Sequence, residues 1–252
     1  YDSSAQASAD WILTQKDAQN CFPKGDCKTK DTALALMLLN SLSLPEASDV
    51  QKWLEGAQSA ATTTGKWMLE ISTQSAGKCV VSYQIKNKSF SEEVNVDQGK
   101  FPNCGGSNFL DMDSCFKSGL IRSEPGIKFT VDCSSLTGET PIVTLVYNSG
   151  STFYIISTQF GSVADVTVAN GCYGKTPKAP CNKDSTLYVN WALSQASSTA
   201  NANLYLLENY DAASITDNSL IYQSFLTKDE KYLEAIKTRR SADGSLNRDF
   251  YQ

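Results

Sequence analysis

The chain has 252 residues, of which 41% are hydrophobic, with a formal net charge of -5 and a pI near 4.9. That length and hydrophobic content suit one large or two small globular domains. Scattered Lys and Arg exclude a nucleic-acid partner, whose capture needs concentrated positive charge. No apolar run reaches the roughly 18 to 20 residues of a spanning helix, so no membrane span is expected.

The first segment turns helical near Ser8, with Trp11, Ile12 and Leu13 as its apolar stripe, and Gln15 to Asp26 reads as a loop. No charged, apolar-cored leader precedes it, so any signal peptide is expected to be gone already. The run Ala33 to Leu39 is apolar on every face and predicts an inner helix buried on all sides. Ser43-Leu44-Pro45-Glu46 then carries the pattern of a capping box with an early proline. Val50, Trp53, Leu54 and Ala57 fall at helical spacing, which predicts an outer helix with one buried stripe. Thr62-Thr63-Thr64-Gly65 ends it, since β-branched residues and glycine disfavour a helix.

From Trp67 to about Val168 the period changes to that of strands. Val81, Tyr83 and Ile85 alternate with polar residues, as do Phe90, Val94 and Val96, and Lys86-Asn87-Lys88 between them predicts a hairpin turn. Further runs cover Ile127 to Val131, Ile142 to Tyr147, Phe153 to Ser157 and Val163 to Val168, with Asn148 to Ser151 as a second hairpin turn. About six strands at this spacing predict a small antiparallel sandwich. Lys100 to Gly119 reads as a loop without periodicity. Gly171 to Cys181 returns the chain to helices, where Leu187, Trp191 and Ala192 form one stripe and Leu204, Leu206, Leu207 and Tyr210 another. Asp217 to Leu226 then echoes Asp31 to Leu42, and Thr227-Lys228-Asp229-Glu230 is a second capping box before Tyr232, Leu233 and Ile236.

Eight cysteines without a CxxC motif or any histidine read as four disulfides, and so as an extracellular or cell-surface setting. Eight cysteines allow 105 connectivities. Short closed loops favour Cys21 with Cys27, Cys104 with Cys115 and Cys172 with Cys181, which leaves Cys79 with Cys133. Asn87-Lys88-Ser89 is a glycosylation sequon that agrees with secretion.

The pieces Asp10 to Gln15, Asp31 to Leu36, Gln51 to Leu54 with Gly65-Lys66-Trp67, and Tyr232-Leu233 with Asp243-Gly244-Ser245 form a degenerate repeat. It resembles the α/α-toroid repeat of the terpenoid cyclase and prenyltransferase superfamily, which includes the thioester domains of α2-macroglobulin and complement and the barrels of transcobalamin-like carriers. The resemblance implies an α+β fold: a short or open toroid over residues 1–70 and 171–252, interrupted by a β-sandwich over 71–170. It also implies a further inner helix after Ser245.

The chemistry of that superfamily is missing. The nearest approach to a cyclase Asp-x-Asp-Asp run is Asp111-Met112-Asp113, inside a cysteine-bounded loop, where it reads as a solvated turn or a weak Ca²⁺ site. No histidine is present for a prenyltransferase-type zinc, and no Cys-Gly-Glu-Gln run for a thioester. Ser-His-Asp and Cys-His mechanisms cannot be built. No catalytic residue or cofactor is therefore expected. The favoured function is a non-enzymatic assembly or recognition module, such as a surface-layer or filament subunit, with a protein partner or its own copies. The alternative is a carrier holding a small molecule in the toroid cavity near Asp31, Thr32 and Asp217. A cyclase-like enzyme would need an acidic cluster that the sequence does not assemble.

Overall fold

A computed structural model describes residues 3–61, 65–116, 125–198, 200–225, 229–241 and 244. The chain divides into two compact units, Tyr1–Ser59 with Gly171–Gln252, and Ala60–Asn170. The sequence pattern places these borders after residues 70 and 170.

The first unit opens with α1 (Ser3–Thr14), α2 (Thr29–Ser41) and α3 (Ala47–Gly56). The strand β1 (Ser59–Ala60) marks the chain's departure from it. In the second unit β2 (Lys66–Ser72), β3 (Ala76–Ile85) and β4 (Lys88–Asp97) are followed by β5 (Leu110–Asp111), which leads into the short helix α4 (Met112–Cys115). Then come β6 (Ile127–Asp132), β7 (Ile142–Ser149), β8 (Thr152–Phe160) and β9 (Val163–Val168). The strand β10 (Gly171–Cys172) returns the chain to the first unit, which is completed by α5 (Lys183–Gln195), α6 (Asn203–Glu208), α7 (Ile215–Ser224) and α8 (Glu230–Lys237).

The helical unit is not a toroid. Its described helices build a row in which α5 lies between α2 and α7, with α3 and α8 packed on the outer members. The N-terminal ends of the row meet through Lys30 Nζ to Asp184 Oδ2 and Lys183 Nζ to Asp217 Oδ2, each 2.8 Å, so the three helices run parallel. Two apolar clusters hold it. Leu36, Leu39, Val50, Leu54, Val189 and Leu193 pack in one, and Leu187, Leu206, Leu220, Ile221 and Tyr232 in the other.

The repeat seen in the sequence is real at a local level. At the fourth position of each helix in the row, Thr32, Thr186 or Asn218 bonds back to the residue before the helix, at Lys28, Asn182 and Ser214. The same side chains tie in the preceding loop. Thr32 Oγ1 accepts from Phe22 N, Thr186 Oγ1 accepts from Tyr173 N, and Asn218 Nδ2 donates to Ala212 O. Helices α2 and α5 also end alike. Ser43 and Ser197 take positive φ, and the next amide returns to Leu39 O or Leu193 O, a Schellman closure.

Several expectations change accordingly. Ser43 ends α2 and does not cap α3, whose first residue is Ala47. Leu34 is exposed, so α2 is not covered on all sides, and Trp11 is exposed where a core contact was expected. Lys66 and Trp67 belong to β2, with Trp67 fully buried against Tyr147 at 5.1 Å between ring centroids. Gly65 is needed for close approach: its N–H donates to Tyr147 Oη at 2.7 Å, and a Cβ there would lie 2.2 Å from Asn148 O. Thr62 to Thr64, Leu226 to Lys228, Asp243, and Ser245 onward lie outside the described residues.

The β unit holds two four-stranded antiparallel sheets, ordered β5-β2-β7-β8 and β4-β3-β6-β9, a sandwich-like arrangement. Most strands bury alternate residues, for instance Ala164, Val166 and Val168 of β9. The β3–β4 hairpin turns at Lys86 and Asn87, both with positive φ as its two-residue loop requires. All four disulfides are present, Cys21–Cys27, Cys79–Cys133, Cys104–Cys115 and Cys172–Cys181.

Candidate functional site: an apolar face on strand β8

Among the described strands β8 pairs with β7 alone and so lies at the edge of its sheet. Most of its residues are exposed and none is buried. Phe153, Ile155 and Phe160 are 56%, 73% and 75% exposed, well beyond what scattered surface apolar residues need. No charged residue occurs from Thr140 through Ala164.

A β-bulge gathers these side chains onto one face. Ile155 opposes Val146, but the next residue of β7, Leu145, opposes Ser157, so Ile156 is an extra residue. Side chains alternate along a strand with period two, and without the bulge Phe160 would point away from Phe153 and Ile155. With it, Phe153, Ile155, Thr158 and Phe160 all stand on the face that β7 builds with Asn148, Val146, Thr144 and Ile142. Met68 continues that face on β2, opposite Val146, flanked there by Lys66 opposite Asn148 and Glu70 opposite Thr144, and the Phe109 ring lies 5.9 Å from that of Phe153 at one end. The same bulge interrupts the free edge of β8, which opposes addition of a further strand there. The feature on offer is the face and not the edge.

The other sheet carries an open groove of about 610 Å³ beside Ser82, Gln84, Ser91, Lys128 and Thr130. Its charges are engaged with one another: Lys128 Nζ lies 2.8 Å from Asp165 Oδ2, and Thr130 Oγ1 donates to Asp165 Oδ1 at 2.6 Å. These bonds, Lys128's first, hold the Asp165 carboxyl below the usual carboxylate range. Hydrogen bonds from Ser134 do the same for Asp132. A general acid or base near neutral pH needs the opposite shift, so neither carboxylate is tuned for proton transfer.

The residues singled out from the sequence do not converge on one site. Asp31 is exposed, Thr32 is buried and committed to its loop, and buried Asp217 pairs with Lys183 and accepts from Asp211 N at 3.0 Å. The described helices form no toroid, so these residues are not gathered around a toroid axis. Asp111 uses Oδ1 to cap α4 through Asp113 N and Ser114 N, and Oδ2 to hold Lys66 Nζ at 2.9 Å. It therefore has little left for a Ca²⁺ ion, and Asp113 lies in the turn that it caps. Among the described residues one further group has metal-site geometry, Asp17 with Cys21 and Cys27. The two sulfurs are joined in a disulfide, and the Asp17 carboxylate accepts from Gln19 N and Gly25 N. Asn87 is exposed at its hairpin tip.

The sequence reading missed the β8 face. It found the strand but not the bulge, and the signal available to it was the charge-free stretch around two consecutive apolar pairs, Phe153-Tyr154 and Ile155-Ile156. Comparisons of the chain with known protein families, curated proteins and solved structures find no match.

Proposed function

We propose that this is a non-enzymatic, disulfide-stapled assembly or recognition module of the cell surface or extracellular space, which docks through the outer face of β8. The observation that carries the reading is the bulge at Ile156, which brings three large exposed apolar side chains into one uncharged stripe. A cluster of exposed apolar side chains of this size is often functional on a soluble domain, which supports a docking role. The four disulfides support an oxidising compartment. Exposed Asn87 in its sequon is the proposed glycosylation site.

The test is retention. Chains carrying Ile155→Lys and Phe160→Lys, produced in the native host, should leave the surface-associated fraction while keeping the unfolding midpoint of the unmodified chain. Equal retention of variant and unmodified chains would contradict a docking role for this face.

A further inference from the structure

The four disulfides differ in their surroundings. Cys79 and Cys133 are both fully buried, and Cys21–Cys27 and Cys172–Cys181 each have one fully buried member, Cys21 and Cys172. In Cys104–Cys115 both members are partly exposed. Thiol–disulfide exchange needs an open path to one sulfur and expels the other as a thiolate, which burial in apolar surroundings disfavours. Of the four bonds, Cys104–Cys115 alone meets both demands from either side.

Opening this bond leaves the sheet anchored on each side of the loop. Before it, Phe101 is fully buried, its N–H donates to Ser107 O, and its carbonyl accepts from Cys104 N and Gly106 N. After it, Leu110 of β5 is paired with Leu69 of β2, Met112 is buried, and Asp111 holds Lys66. Between these anchors none of residues 102–109 is buried. Gly105 and Gly106, both at positive φ, have no atom within 4 Å of where a Cβ would stand. Segments with so few buried contacts open locally at low cost. This one carries Phe109, whose ring lies 5.9 Å from that of Phe153 on the β8 face.

We infer that Cys104–Cys115 is a redox switch, opened by a dithiol reductant, that controls whether Phe109 stands beside Phe153. A thiolate of the reductant attacks one Sγ, forms a mixed disulfide and expels the other Sγ as a thiolate, which takes up a proton. The second thiol of the reductant gives up its proton, attacks its own sulfur in the mixed disulfide and displaces the remaining Sγ, which is protonated in turn. The protein gains two electrons and two protons, and the reductant leaves as its own disulfide. The consequence for docking rests on the role given to β8 above: the oxidised protein offers Phe109 at the end of that face and the reduced protein does not.

The test is stepwise reduction of the purified, oxidised chain with dithiothreitol under native conditions, with free thiols alkylated and located by peptide mass spectrometry. Cys104 and Cys115 should become alkylated together, at a dithiothreitol concentration at least about tenfold below that needed for the other three pairs. Hydroxyl-radical labelling of Phe109 and Phe153 should rise at the same step. The double variant Cys104→Ser with Cys115→Ser should show the raised labelling without reductant. Reduction of another pair first, or of all four at one concentration, overturns the inference. So does opening of Cys104–Cys115 with labelling of Phe109 and Phe153 unchanged. No partner is present in this experiment, so its outcome is separate from that of the retention test, which alone decides whether β8 docks.

Discussion

Single residues carry the local repeat. Thr32 and Thr186 each close a disulfide-bounded loop onto the first turn of a helix, accepting from one backbone amide and donating to a backbone carbonyl. Replacing Thr32 by Ala leaves the buried Phe22 amide without that acceptor, at a cost of about 1–3 kcal/mol. Thr32→Ser should recover most of the loss, as urea unfolding of the two variants would show. Gly65→Ala forces a methyl group into Asn148 O and the Tyr147 ring, and should cost at least about 1–3 kcal/mol in the same assay. Asp111 governs part of the acid limb. Burial works against its ionisation, but Lys66 and the Ser114 and Asp113 amides hold the carboxyl below the usual range. A depressed folded-state pKa contributes stability above the unfolded value, near 3.9, and that contribution is lost as pH falls through the folded value. Asp111→Asn should therefore lower stability at neutral pH and flatten its decline below about pH 4, measured as unfolding midpoint against pH.

At the scale of elements, legibility followed periodicity. Strand β3 is legible in the alternation of Val81, Tyr83 and Ile85, and the β3–β4 hairpin in Lys86-Asn87-Lys88, because period and turn chemistry are local properties. The β7–β8 pairing shows where that ends. Strand β7 buries five consecutive residues, Val143 to Tyr147, so its two faces cannot be told apart by hydropathy. The extra residue in β8 has no composition signal, since a bulge is defined by pairing with another strand. Cysteine spacing did give the stapling, because short loops close with little search. The long loop matters most for stability: Cys79 and Cys133 are 54 residues apart. Cross-linking a loop of that size restricts the unfolded chain by about 4 kcal/mol. Replacing both with Ala should lower the unfolding free energy by up to that amount, and by more than the loss of Cys21–Cys27, which closes a loop of separation 6.

At the scale of the molecule, the sequence overreached. The echo of Asp31 in Asp217 is a true recurrence of one helix start, yet Asp31 is exposed and Asp217 is buried on Lys183. A repeated start shows that helices are built alike. Whether a row of helices closes into a ring is fixed by how each packs on the next, which no heptad or capping pattern encodes. The described helices make a parallel row held by Lys30–Asp184 and Lys183–Asp217, and the superfamily resemblance ends there. Lys183→Met should test the row directly. It leaves the buried Asp217 carboxylate with the Asp211 amide but without its cation, at a cost of about 1–3 kcal/mol read by chemical unfolding. The functional reading rests instead on the β unit, where Phe153, Ile155 and Phe160 stand exposed along one strand.

The most direct test of that reading is hydroxyl-radical footprinting of Phe153, Tyr154 and Phe160, comparing the protein as assembled in its native setting with the same chain dispersed to monomer. The account predicts strong protection of Phe153 and Phe160 in the assembled state, with Trp11, exposed on α1, labelled equally in both. Equal labelling of Phe153 and Phe160 in the two states would contradict it, since a docking face that remains fully open in the native assembly docks nothing.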